Sequence, residues 1–410
     1  MNENIPKLRF PEFKDEKGEE FSEWVRVKAS KIFSVLRGEG LPKVLLVQDG
    51  CYQAIHYGQL FTDYKEIIKT IKSRTNYKGK RMSQYGDILM PSSDVTPLGL
   101  AKASAILVNS VVLGSDMNIL RPRIKNINSI FFSYQLNFNK TSIIRLVSGT
   151  TVKHIYPSDI KSLTLLLPTL PEQTKIANFL SAVDKRIELL SNKVSQLEEY
   201  KKGAMQKLFS QEVRFKDENG EEFPEWEQTK INTLFSYANG KSNEQYVTDA
   251  GKYNLITLNS IDINGNLKTF HQKVNETDYS LIKNDLVMAL SDVAHGFFLG
   301  LVDIIPNNNY VLNQRMGRLR LYKAKDADIR FLRTIINYNQ PYFRKMGQGS
   351  SQQNLSKGDI LKFNFLNPSL PEQTKIANFL SSLDSKIELA TKELDKTEEY
   401  KKGLLQQMFI

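Results

Sequence analysis

The stretch Pro171-Glu172-Gln173-Thr174-Lys175-Ile176-Ala177-Asn178-Phe179-Leu180-Ser181 returns unchanged at Pro371–Ser381, 200 positions later. Each copy opens a 40-residue segment, and aligning 171–210 with 371–410 gives 23 identities. The segments also close alike, with Glu198-Glu199-Tyr200-Lys201-Lys202-Gly203 repeated as Glu398-Glu399-Tyr400-Lys401-Lys402-Gly403. Repetition this close implies one geometric task performed twice.

Apolar residues in the first copy fall at Ile176, Leu180, Val183, Ile187, Leu190, Val194 and Leu197, in alternating steps of four and three. That is the seam of a coiled coil. The second seam runs Ile376, Leu380, Leu383, Ile387, Ala390, Leu394 and Thr397 and is weaker at its end. Pro168 and Pro171, echoed by Pro368 and Pro371, mark the helix starts. Gly203 and Gly403 are expected to weaken or kink the last turns. A helix of this length spans roughly 55–60 Å and cannot bury its stripe alone. The two are therefore expected to pair antiparallel about a pseudo-two-fold axis, as a spacer between globular domains.

The repeat extends upstream. Phe13-Lys14-Asp15-Glu16, Gly18-Glu19-Glu20-Phe21 and Glu23-Trp24 recur as Phe215–Glu218, Gly220–Phe223 and Glu225-Trp226. Residues 25–165 and 227–365, by contrast, hardly resemble one another. Only echoes such as Ser93-Asp94-Val95 against Ser291-Asp292-Val293, and Gly149-Thr150 against Gly349-Ser350, survive. The expected order is a leader and first domain over 1–170, a helical spacer over 171–210, a leader and second domain over 211–370, and a second spacer over 371–410. Each domain reads as α+β: Ile88–Met90, Ala105–Val108 and Arg318–Tyr322 have strand character, Ile329–Tyr338 helical character.

Forty per cent hydrophobic and 25% charged residues suit a globular protein, and no apolar run reaches the length of a membrane span. The N-terminus lacks the apolar core of a signal peptide, and the lone Cys51 fits a reducing cytoplasm. The net charge of +11 is unevenly placed. Residues 25–165 hold 20 Lys and Arg against 8 Asp and Glu, and residues 227–365 hold 17 against 12. The helical segments carry +2 and −1, and the leaders −3 and −4. Basic charge thus collects in the variable domains, the footprint of contact with a polyanion.

Catalytic signatures are missing. There is no Asn/Asp-Pro-Pro-aromatic methyltransferase motif, no Pro followed by Asp to anchor a nuclease pattern, and Gly240-Lys241-Ser242 lacks the glycine of a P-loop upstream. His56, His154, His271 and His295 have no metal-ligand spacing. The chain reads as a non-catalytic binding protein, with no cofactor or metal of its own expected.

The densest basic run is Lys65 to Arg81, where Lys65, Lys69 and Lys72 are spaced as one helical face and Arg74, Lys78, Lys80 and Arg81 follow. Cations at this density suit phosphates. Base edges need paired donors and acceptors, which two Gly-containing loops at equivalent places offer. One supplies Thr150, Thr151, Lys153 and His154; the other supplies Gln348, Ser350, Ser351 and Gln352. Asn313, Gln314 and Arg315, with Arg318 and Arg320, form a further candidate.

The Leu-Pro-x-Leu-Pro-Glu-Gln-x-Lys-Ile-Ala run at Leu167–Ala177, repeated from Pro368 to Ala377 after a departure at Asn367, resembles the specificity subunit of Type I restriction–modification systems. The architecture extends that resemblance over nearly the whole chain. It implies two target-recognition domains, each reading half of a bipartite, asymmetric site in double-stranded DNA. It also implies helices that fix the unread spacer and dock two modification (methyltransferase) subunits. Those subunits would supply S-adenosylmethionine and adenine methylation; two restriction (motor-nuclease) subunits would supply ATP- and Mg2+-dependent translocation and cleavage. A competing reading from the residues alone is a coiled-coil adaptor whose basic domains bind an acidic protein.

Overall fold

The computed structural model describes residues 5–13, 23–269, 271–276, 278, 280–293 and 296–409. The leader residues 14–22 and His295 lie outside them. After Trp24 the main elements run β1 (Val25–Lys28), β2 (Phe33–Arg37), β3 (Asp87–Pro91), β4 (Ser93–Asp94), β5 (Met117–Pro122), α1 (Ser129–Phe138), β6 (Lys153–His154), β7 (Thr164–Leu167) and α2 (Leu170–Phe209). After Trp226 the same order returns as β8 (Glu227–Lys230), β9 (Phe235–Asn239), β10 (Leu286–Ala289), β11 (Ser291–Val293), β12 (Met316–Leu321), α3 (Ile329–Tyr338), β13 (Gln352–Asn354), β14 (Asn364–Asn367) and α4 (Leu370–Met408). Shorter strands lie between.

Residues 1–192 with 391–410 form one compact unit, and residues 193–390 form the other. Each long helix therefore gives its first part to one unit and its last part to the other. In the first unit β5 lies antiparallel between β2 and β3, in a five-stranded sheet continued by Ser104–Ile106 and Ile67–Ile68. In the second unit β12 lies likewise between β9 and β10, in a four-stranded sheet. Both central strands, β3 and β10, are buried throughout, Asp87 at the start of β3 included. A second small sheet accompanies each: Leu46–Val47, Tyr52–Ile55, Ser73–Thr75 and Val112–Leu113 in one unit, and Tyr253–Ile256, Lys273–Val274 and Tyr310–Leu312 in the other.

The helical seam is buried over its first turns and half-buried at Val194, Leu197, Ile387 and Leu394. Ile176, Leu180, Val183 and Ile187 pack with Leu404, Met408 and Phe409 against Trp24 and Phe131; Ile376, Leu380 and Leu383 pack with Leu208 against Trp226 and Phe331. Even Ala390 and Thr397, where the second seam weakens, are buried. Within the first unit the helix segments are antiparallel, since one groove is lined by Phe179 and Tyr400 at one end and Arg186 and Glu393 at the other. Ion pairs repeat the arrangement: Asp184 with Lys401 at 2.7 Å in one unit, Asp384 with Lys201 at 2.5 Å in the other. Gly203 and Gly403 do not end the helices, which continue to Phe209 and Met408. No helix among the described residues is long and apolar enough to cross a membrane.

The repeated Pro-Glu-Gln has a structural task. Glu172 is buried and receives Arg9 Nε and Nη2, each at 2.7 Å; Glu372 receives Arg214 Nε at 3.1 Å and Nη2 at 2.8 Å, and Trp226 Nε1 at 3.0 Å. Gln173 Oε1 accepts the Asn128 backbone N–H, and Gln373 Oε1 that of Asp328, each at 2.9 Å. Asn128 and Asp328 are themselves the side-chain caps that start α1 and α3. Each long helix is thereby fastened to its leader by the glutamate and to its globular domain by the glutamine.

Candidate nucleic-acid interface

The two Gly-containing loops are equivalent hairpins. Ser148 and His154 exchange backbone hydrogen bonds of 3.0 and 2.8 Å, and Gln348 and Asn354 do the same at 3.0 and 2.9 Å. Gly149 and Gly349 adopt φ of +100° and +118°, and a Cβ on either would meet a backbone oxygen at 2.2 or 2.0 Å. Only glycine fits both demands. β6 pairs with β4, and β13 with β11, so the Ser93-Asp94 and Ser291-Asp292 echoes are strands hydrogen-bonded to the hairpins that carry the Gly149-Thr150 and Gly349-Ser350 echoes. Ser93 Oγ lies 3.0 Å from His154 Nδ1, and Ser291 Oγ donates to Asn354 Oδ1 at 2.6 Å. Thr150, Thr151, Ser350 and Ser351 are exposed at the tips, Gln348 is exposed at the base of its hairpin, and Lys153 and Gln352 are half-buried. Lys153 Nζ donates to Gly149 O at 2.8 Å.

A turn joins each hairpin. In the second unit Leu290 N donates to Arg315 O at 3.0 Å and Leu355 N to Leu290 O at 2.8 Å, which sets exposed Arg315 and half-buried Gln314 beside the Gln348–Asn354 loop. In the first unit Asp116 takes the place of Arg315, through Ser92 N to Asp116 O at 2.8 Å and Ile155 N to Ser92 O at 3.1 Å. Both turn residues have positive φ, 60° and 67°.

Three expectations need correction. Asn313 is buried, with Oδ1 accepting from Asn243 N at 2.9 Å and Nδ2 donating to Glu244 Oε1 at 2.9 Å, so it anchors a loop. Arg320 forms a two-pronged pair with buried Asp285, and Arg318 Nη1 donates to Ser280 O at 3.0 Å, so both brace the sheet. Arg121 and Asp87 repeat that brace in the first unit. Lys65, Lys69 and Lys72 share no helical face: they flank the short strand Ile67–Ile68, and the nearest helix ends at Thr62.

Of the basic run, Arg74 Nε turns to Gly50 O at 2.7 Å, whereas Lys78 and Lys80 are exposed. Arg81 donates to Arg37 O and to Glu39 Oε1, each at 3.1 Å. This contact leads to residues that the loop and charge patterns did not single out. The Arg37 guanidinium lies 5.7 Å from the centre of the Tyr156 ring, which stacks at 6.2 Å on His154. Arg81, Arg37, Tyr156 and the 148–154 hairpin therefore form one continuous polar-aromatic surface. Arg37 closes β2, a strand that the sequence patterns did not single out.

His56 and His271 belong to the scaffold. Burial pushes the His56 imidazole below its ordinary 6.5, helped by Lys43 and opposed by Asp116, and burial pushes His271 down likewise. An unfolded chain therefore takes up these protons first, so their contribution is whole above about pH 6.5 and is lost as pH falls through the lower folded-state values. Thermal melts are expected to show a midpoint that drops between pH 7.5 and 5.5. The H56N/H271F double variant should show a shallower drop; an unchanged slope would assign the acid sensitivity to carboxylates alone.

Among the described residues no cluster of His, Cys, Asp and Glu could hold a metal ion. Two copies of one mixed α/β recognition unit, each presenting a polar hairpin and sharing a pair of long helices, define a duplicated ligand-reading protein. The comparisons agree. The family model of the Type I restriction modification DNA specificity domain matches residues 22–199 and 224–399. The chain belongs to that family. It is 27% identical over 339 residues to the Type I restriction enzyme MjaVIII specificity subunit of Methanocaldococcus jannaschii, covering 78% of this chain and 79% of that one. A putative MjaX specificity subunit from the same organism is 27% identical over 71% of this chain and 70% of its own. The crystal structure of an S subunit from M. genitalium superposes with a TM-score of 0.64 at 19% identity, covering 99% of both chains. The adaptor reading finds no support.

Proposed function

We propose that each unit reads one half of a bipartite, asymmetric site in double-stranded DNA. The carrying observation is that the two hairpins share one backbone design but present different chemistry, Thr-Thr-Val-Lys-His against Ser-Ser-Gln-Gln-Asn. Identical geometry with different donors and acceptors reads two different half-sites. The chain itself performs no chemistry. Two modification subunits carry S-adenosylmethionine and methylate adenine, and two restriction subunits supply ATP- and Mg2+-dependent cleavage, all in the cytoplasm. Leu189, Leu389, Tyr200 and Tyr400 support docking on the helices, since these exposed side chains recur at matching positions of both copies.

Exchanging residues 25–165 for those of a family member with another specificity tests the modular reading. Sequencing of methylated bases in the host genome is expected to show one half-site replaced and the other, with the spacer, retained. Replacement of both halves would overturn independent reading. A continuous methylated motif would overturn the bipartite site altogether.

A further inference from the structure

Resting on that reading, we propose that Arg37 is a specificity-determining residue that reads a guanine in the half-site of the first unit. Most other arginines described there are already committed. Arg121 is clamped by Asp87, Arg186 by Glu393 and Arg81 by Glu39; Arg74 and Arg123 donate to the carbonyls of Gly50 and Ser30. Arg37 is exposed at the end of β2, and among the described residues its guanidinium meets no carboxylate or carbonyl. Its side chain is set against the Tyr156 ring.

That contact selects the ligand. A guanidinium over an aromatic face keeps its edge donors while its plane is restrained. A planar fork held in this way matches the O6 and N7 acceptors of guanine, which lie side by side on the major-groove edge. Phosphates need no such restraint, and the exposed Lys78 and Lys80 suit them as mobile point charges. Tyr156 is fixed in turn by stacking on His154, whose Nδ1 meets Ser93 Oγ. The fork is thus tied to the hairpin. In the second unit the equivalent strand end is Asn239, as the registers show: Arg37 is opposite Asn118 and Asn239 opposite Gly317, at matching positions of β5 and β12. Asn239 Oδ1 accepts the Tyr237 hydroxyl, so there too an aromatic residue orients the polar end. An amide in place of a guanidinium gives the second half-site a different preference.

The test is made in the host strain with the chromosomal copy deleted, complemented by wild type, R37A, R37K or Y156A, with genome-wide sequencing of methylated adenines. Wild type is expected to restore one bipartite motif with a guanine in one half. In R37A that position alone should relax, its discrimination falling about 5- to 150-fold. R37K should keep overall methylation but weaken the guanine preference, since an ammonium lacks the planar fork, and Y156A should blur the same position. A uniform loss at every site in R37A would make Arg37 a phosphate contact and overturn the proposal, as would an unchanged motif. If wild type restores no bipartite motif, the reading of the half-sites fails before Arg37 is put in question.

Discussion

Replacing Glu172 by Ala should destabilise the first unit by about 3–5 kcal/mol, the range expected when one partner is removed from a buried ion pair. Both side chains are almost sealed from solvent, Arg9 at 0% and Glu172 at 2% exposure. The variant would therefore take from a buried guanidinium the carboxylate that accepts its Nε and Nη2, each at 2.7 Å. E172Q should be milder, because the amide oxygen still accepts one of the two bonds. The R9M/E172M double variant should recover much of the loss, since apolar residues of similar size remove both charges together. Glu372 differs instructively. Its partner Arg214 is 13% exposed, so part of that charge can be rehydrated after E372A. Trp226 would nonetheless lose its acceptor. Urea unfolding of the full chain, followed by tryptophan fluorescence, separates the cases because Trp24 and Trp226 report on different units. An E172A midpoint no lower than that of exposed E188A would show that the clamp contributes nothing.

The helices were legible because a spacing of four and three over seven positions admits one interpretation, and their near-identical repetition removed any ambiguity of length. The recognition units were legible in class and in isolated elements, such as Ile329–Tyr338, but not in topology, because strand partners lie far apart in sequence. Asp87 and Arg121, or Asp285 and Arg320, are braces that no local pattern reveals. The same distance explains why Arg318 and Asn313 looked like readers: a polar side chain is read as available until its partner is seen. Lys65, Lys69 and Lys72 satisfied helical spacing by coincidence, while the β-branched Ile67-Ile68 between them formed a strand. The hairpins were found through their glycines and polar tips. Their platform was not, because Arg37 and Tyr156 are separated by most of the first unit.

On the proposed reading the helices are the ruler, and four extra residues should lengthen the unread spacer without altering the bases read. The insertion belongs in both helices, after Asn192 and after Ala390, because those are the points where each helix passes from one unit to the other. Placed there, it leaves the Asp184–Lys401 and Asp384–Lys201 pairs, both cores and both Pro-Glu-Gln clamps within their own units. Four residues add about 6 Å of rise and about 40° of rotation beyond one full turn. In DNA one base step adds about 3.4 Å and, at about 10–10.5 base pairs per turn, about 35° of twist. The added length corresponds to about one or two base pairs. Mapping methylated adenines should therefore show both half-sites intact, the original sites unmethylated and a spacer one or two base pairs longer. An unchanged spacer would mean that the distance is set elsewhere in the complex, and altered half-site bases would mean that the helices take part in reading.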